Sequence, residues 1–192
     1  MYKKQMILQR IVSYLLLGAA ALVFVYSLGL VTDLYDSKFS FYAQDIESPM
    51  VAGTEVYYLM QEFNQQLTGV GIALILVAVS QFVFQTHNRR RYYIANYITV
   101  CANTVAGIAA SVWALDNIFK YKALFLQVDF ETLKTYAEMF GFPYIESTFW
   151  FDASKVVFGI LLVGVALNVI SMIWKVALMS AEKRLIKQGK ED

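Results

Sequence analysis

Long uninterrupted apolar runs dominate the chain, rather than the alternation of a half-buried strand or the narrow stripe of a surface helix. Residues 11–31, 67–86 and 94–115 carry no charged side chain, and residues 156–177 carry one, Lys175, near the end, where it can snorkel to the headgroups. A bilayer core of about 30 Å takes about 20 residues of helix, so each run is predicted to cross a membrane once. In lipid the backbone must satisfy its own hydrogen bonds, which leaves helix as the form for an isolated apolar run. Each run is also too apolar all round for a helix with a wet face. The fold class expected is all-α: an integral membrane protein with four transmembrane helices as one domain over residues 1–192.

Between the runs lie one short link and two long loops, 32–66 and 116–155. Connections longer than about 12–15 residues generally carry structure or function of their own. In the first loop Ser48-Pro49 offers an N-cap with proline at the first helical position. A helix broken at Gly53 could run on through Val56, Leu59, Phe63 and Leu67. In the second, Asp129 is a good N-cap for a short helix ending near Phe140, with Gly141 as terminator and Pro143 beyond. Phe130, Leu133, Ala137 and Phe140 share one face, opposite Glu131, Lys134 and Glu138, so this helix is amphipathic.

Composition sharpens the class. The 192 residues are 58% hydrophobic and 16% charged, against about 45–50% and about 25% in a soluble domain. That excludes a disordered tail, a fibrous protein and a basic nucleic-acid-binding module. The net charge of +1 conceals a segregation. The N-terminal ten residues, the link with Arg89, Arg90 and Arg91, and the tail from Lys175 hold 11 of the 16 basic residues. The two long loops hold 12 of the 15 acids. Short loops rich in Lys and Arg stay in the cytoplasm, so both termini are expected inside and both long loops outside. The first run is longer than a secretory h-region and lacks a small-residue cleavage site after it, so it reads as an uncleaved anchor. The charge bias and the low cysteine content suit a bacterial inner membrane.

Polar residues within the runs follow helical spacing. Asn96, Thr99, Asn103, Gly107 and Ser111 lie on one face of the third span. Gly164, Asn168 and Ser171 repeat the pattern in the fourth, and Ala78, Gln81 and Gln85 in the second. Small and polar stripes let helices approach closely and hydrogen-bond across the seam, and the same residues could line a polar path. The outer loops concentrate aromatic residues, most densely at Phe140, Phe142, Tyr144, Phe149, Trp150 and Phe151. Such a cluster serves as a headgroup belt, as packing for a small outer cap, as a docking surface for another membrane protein, or as a ligand surface.

Reactive chemistry is sparse. His87 is the only histidine and stands beside Arg89–Arg91 without a second metal ligand nearby. Cys101 falls inside the third span, where a buried thiol acts as a small hydrophobe. There is no nucleophile elbow, zinc-protease pair or phosphate-cradling glycine loop. No catalytic residue, metal site or cofactor is therefore expected. Arg89, Arg90 and Arg91 are expected to contact anionic headgroups or a cytoplasmic partner. The function this supports is a non-enzymatic accessory or assembly subunit of a larger membrane complex, with a transporter as one such complex. Its partners would be membrane lipids and an integral membrane protein or a second copy, not nucleic acid. The alternative is a homo-oligomeric channel or small-solute transporter lined by the Asn, Thr and Gln stripes.

Overall fold

A computed structural model of the chain describes residues 2–32, 50–86, 94–141 and 144–188. Ser48-Pro49, His87, Arg89, Arg90, Arg91, Phe142 and Pro143 lie outside the described residues. The elements are α1 (Tyr2–Thr32), α2 (Glu55–Thr86), α3 (Ile94–Phe125), α4 (Phe130–Phe140) and α5 (Phe149–Gln188). The described residues contain no strand, and α1, α2, α3 and α5 are long and apolar enough to cross a membrane.

These four helices outrun the apolar stretches that mark them. The helix α2 starts at Glu55, well before Leu67, because Val56, Met60, Phe63 and Leu67 bury one continuous face at spacings of 3 and 4. Leu59, expected on that face, is exposed, and Met60 takes its place. Likewise α3 runs on to a buried Phe125, and α5 begins at Phe149, ahead of a buried Phe151 and Phe158. Hydrophobic-run length reports the thickness of lipid. The added turns answer to packing instead.

The chain contributes to two compact units. The first comprises Met1–Ala21, Ala73–Ala109 and Ile160–Asp192. Its core is aliphatic and small: Leu16, Ala20, Leu74, Ala78, Leu161 and Val165 are all buried. Helix approach is close. A Cβ added at Gly164 would come within 2.7 Å of the Leu15 Cδ2, and one added at Gly107 within 2.6 Å of the Val165 Cγ2.

The second unit comprises Leu22–Ile72 and Ala110–Gly159, and its core is aromatic. Phe125 stands at its centre, 5.2 Å from the Phe130 and Phe151 rings and 6.2 Å from Tyr57. Each such side chain removed from water contributes about 1.5–3 kcal/mol. The helix α4 forms as its sequence predicts. Asp129 accepts hydrogen bonds from the Thr132 amide (3.1 Å) and hydroxyl (2.6 Å), and Gly141 ends the helix at φ +71°. Leu133 and Ala137 are buried, but Phe140, expected on the same face, is 47% exposed and stacks on Tyr136 of its own helix.

A turn rather than a helix precedes α2. Gly53 adopts φ +85°, where a side chain is strained. The Asp129 amide donates to the Ala52 carbonyl (3.0 Å), which seats this turn against residues 127–128. A Cβ at Gly53 would lie 2.7 Å from the Val128 Cα. Replacing Gly53 with Ala should therefore lower stability by about 1–3 kcal/mol in detergent unfolding. By contrast Gly69→Ala, with nothing within 4 Å of the new methyl, should cost none.

The capping bonds hold the Asp129 carboxyl below the usual carboxylate range, the Thr132 hydroxyl first and its amide second. The ionised form is thus favoured by folding. Its stabilisation is complete above the ordinary value of 3.8 and fades as pH falls through the lowered one. Protection of the α4 amides from hydrogen exchange should begin to fall as pH drops below the ordinary value of 3.8, and Asp129→Asn should remove that loss.

Candidate functional site

Two features of the chain concentrate polar or aromatic side chains: a buried amide network in the first unit and an aromatic surface in the second. The network starts on α1, where Gln5, Gln9 and Ser13 recur every fourth residue and so share a face. All three are buried. The Gln5 amide donates to the Gln9 side-chain carbonyl (3.3 Å), and Gln9 donates to Asn96 on α3 (3.1 Å). The Ser13 hydroxyl meets its own helix at the Gln9 carbonyl (2.9 Å) and bonds the Gln85 side chain on α2.

A second group centres on Gln81. Its amide nitrogen donates to Asn168 on α5 (2.8 Å), and its oxygen accepts from Asn103 on α3 (2.9 Å). Asn168 donates in turn to the Val100 carbonyl and the Thr104 hydroxyl, both at 3.3 Å. One glutamine therefore joins three helices. Carboxamides do not titrate, so the network holds its helices without reference to pH.

The stripe of the third span occupies one covered face, with Asn96, Asn103, Gly107 and Ser111 buried. Thr99 is half-buried and donates back to the Ala95 carbonyl of its own helix (2.9 Å). Gly164, Asn168 and Ser171 of α5 are also buried. Sequence reasoning missed the α1 partners. The signal was present in the fourfold spacing of Gln5, Gln9 and Ser13, masked by their place in a basic N-terminal segment.

Two further placements differ from expectation. Cys101 is exposed, not buried. Lys175 does not reach outward from the end of its span. It is 6% exposed, with its ammonium 5.1 Å from the centroid of the Tyr97 ring. Tyr97 itself donates to the Met179 sulfur (2.8 Å).

The aromatic cluster divides. Phe149 is 63% exposed and Phe140 remains open, and the apolar Leu126 and Met139 are exposed as well. Phe151 is fully buried and belongs to the core, so it is not a surface residue. Trp150 is half-buried. Its ring closes on Gly29, and its carbonyl accepts from the Tyr26 hydroxyl (2.9 Å). Tyr144 is half-buried too. Burial first, then the neighbouring Glu146 carboxylate, raises its phenol above the ordinary value.

Beside these rings Asp152 gathers two cations, Lys122 at 2.7 Å and Lys155 at 2.8 Å, with the Thr148 hydroxyl at 3.1 Å. The Lys122 contact ties α3 to the start of α5. Among the described residues no group of three or more His, Cys, Asp or Glu side chains is placed to hold a metal.

Comparison with known protein families, with curated proteins and with solved structures finds no match.

Interhelical hydrogen bonds within a membrane contribute about 0.6–2 kcal/mol each. Replacing Gln81 with Leu removes a hydrogen-bond partner from both Asn103 and Asn168, so it should cost at least as much as Asn103→Leu alone. In a double-mutant cycle read by detergent unfolding, the pair should lose about 1 kcal/mol less than the sum of the singles. Additive losses would show that the Gln81–Asn103 bond contributes nothing.

Proposed function

We propose that this protein is a non-enzymatic accessory or assembly subunit of a larger integral membrane complex, with its termini in the cytoplasm and its long loops outside. The observation that carries this reading is the exposure of large apolar side chains beyond the apolar runs. Phe140, Phe149, Leu126 and Met139 (69% exposed) lie in the segment 116–155. Aromatic and Met side chains are enriched at protein interfaces, where a partner removes them from water. The exposed Phe140 and Phe149 therefore serve as docking anchors, the Phe149 ring resting 5.3 Å from that of Trp150 and the Phe140 ring stacked on Tyr136.

The topology follows the charges. The first unit includes the N-terminal segment, the Arg89–Arg91 link and the tail, with 11 basic residues against three acids. The second includes both long loops, with five basic residues against 12 acids. A bacterial inner membrane with both termini inside accommodates that division. Arg89, Arg90 and Arg91 then stand at the cytoplasmic headgroups.

The alternative, a pore lined by amide side chains, draws less support. Asn96, Asn103 and Asn168 already bond to Gln9, Gln81 and Thr104 of the same chain. Such pairing gives cohesion rather than a wet lining.

Tagged protein purified in mild detergent should retain a stoichiometric membrane partner, identified by mass spectrometry. Phe149→Ser combined with Phe140→Ser should reduce that recovery severalfold, with unfolding stability shifted by no more than about 0.5 kcal/mol. Recovery of a defined homo-oligomer alone would overturn the accessory reading in favour of self-association. Sidedness has its own test. In a Cys101→Ser background, a cysteine in place of Lys134 should react with an impermeant maleimide on intact cells, and one in place of Lys183 should not. The opposite labelling would invert the topology.

A further inference from the structure

The first four turns of α1 divide into two faces. Gln5, Gln9, Val12, Ser13 and Leu16 are buried against the rest of the first unit. The opposite face is open, with Lys3, Lys4 and Arg10 exposed and the apolar Met6, Ile7, Ile11 and Tyr14 exposed among them. At 3.6 residues per turn these side chains fall within an arc of about 160°, so they form one continuous surface.

The covered face sets the depth of the open one. Gln9 donates to Asn96, at the start of α3, and Gln5 donates to the Ser171 carbonyl, inside the apolar run 156–177. The basic segment ahead of the first apolar run therefore does not trail into water. It is bonded alongside the ends of two other spanning runs, at the depth where helices meet lipid headgroups. Tyr14, one turn after Arg10, suits that depth, because tyrosine concentrates at membrane–water interfaces. Its ring lies 4.9 Å from that of Phe82 on α2.

Charge decides what covers this face. Lys3, Lys4 and Arg10 form no ion pair among the described residues, and the chain holds no Asp or Glu before Asp33. Three cations without a counter-charge call for an anionic occupant, and the same face of a second copy would repel them. The apolar side chains between the cations call for an occupant that also carries hydrocarbon. Toward the membrane interior the face continues through Ile11 to an exposed Gly18, where a Cβ would meet nothing within 4 Å.

We propose that this face of α1 binds an anionic phospholipid. The planar Arg10 guanidinium donates to two oxygens of the headgroup phosphate. Lys3 and Lys4 neutralise the rest of the headgroup charge. Ile7 and Ile11 lie against the start of an acyl chain, which runs on past the open Gly18. Such a site is independent of whatever docks on the outer loops.

The test uses the full chain in mild detergent with equal amounts of phosphatidylglycerol and phosphatidylcholine, and counts retained lipid by native mass spectrometry. The unaltered protein should retain phosphatidylglycerol in preference. Arg10→Gln should lower that preference about fivefold, the usual effect of one cation at an anionic surface. Adding Lys3→Gln and Lys4→Gln should abolish it. The pair Lys183→Gln with Arg184→Gln, which alters exposed cations of α5, should leave it unchanged. Equal retention of the two lipids, or a preference that survives in the triple variant, would overturn the proposal. An equal loss in the Lys183 and Arg184 pair would overturn it too, by tracing the attraction to net charge. A dimer that disappears in the triple variant would assign the face to a second copy instead. If the triple variant fails to fold, Arg10→Gln alone carries the comparison.

Discussion

The organising constraint on this chain is that lipid gives two apolar helices little reason to prefer each other over acyl chains. Leu against Leu in a membrane gains packing but no release from water. The first unit answers with close approach and amide hydrogen bonds. Gly107 and Gly164 admit neighbouring side chains where a methyl group would collide, and Gln81 bonds two helices besides its own. Carboxamides suit this task because they donate and accept at once, so one side chain can satisfy two neighbours while carrying no charge. A carboxylate or ammonium in the same place would bring the cost of burying an ion.

The second unit solves a different problem with different residues. Much of it lies in segments outside the apolar runs, where burial from water again contributes. Aromatic rings dominate there, because each removes a large area from solvent and packs at defined angles on its neighbours. Phe125 contacts Tyr57, Phe130 and Phe151, while Phe63 contacts Trp113 and Tyr121, each at 5.3 Å. Polar contacts fix directions rather than supply cohesion. Examples are the Tyr121 hydroxyl on the Leu59 carbonyl (3.1 Å) and the lysine pair on Asp152. Ion pairs as open as Lys155–Asp152 contribute little on their own.

Features fixed by local chemistry were legible in the sequence. The four apolar runs, the cap at Asp129 and the stop at Gly141 depend on a few adjacent residues, and each appears as expected. The buried face of α3 was legible as well, because Asn96, Asn103, Gly107 and Ser111 keep strict helical spacing. Features fixed by distant partners were not. Helix length beyond the runs depends on what Val56 or Phe151 packs against. Phe151 was read as surface because density of aromatic residues does not reveal which rings turn inward. The role of Gln5, Gln9 and Ser13 emerges only when α1 lies beside α3 and α2. Lys175 was read as reaching toward headgroups, the usual habit of a lysine near a helix end. Its folding inward depends on the aromatic face of Tyr97, seventy-eight positions away in the chain.

The Gln81 junction also bears on how the chain finds its arrangement. Apolar helices in lipid slide past one another with small changes in energy, since one register of Leu and Val packs much like the next. A slip of α3 by one turn, about 5.4 Å, would carry Asn103 away from Gln81 and leave amides facing hydrocarbon. Every wrong register is then penalised by several unsatisfied polar groups at once, whereas the observed one pairs Gln81 with both Asn103 and Asn168. The network therefore acts as a vernier: its few polar marks select a single alignment from a series that the surrounding aliphatic residues would leave nearly degenerate.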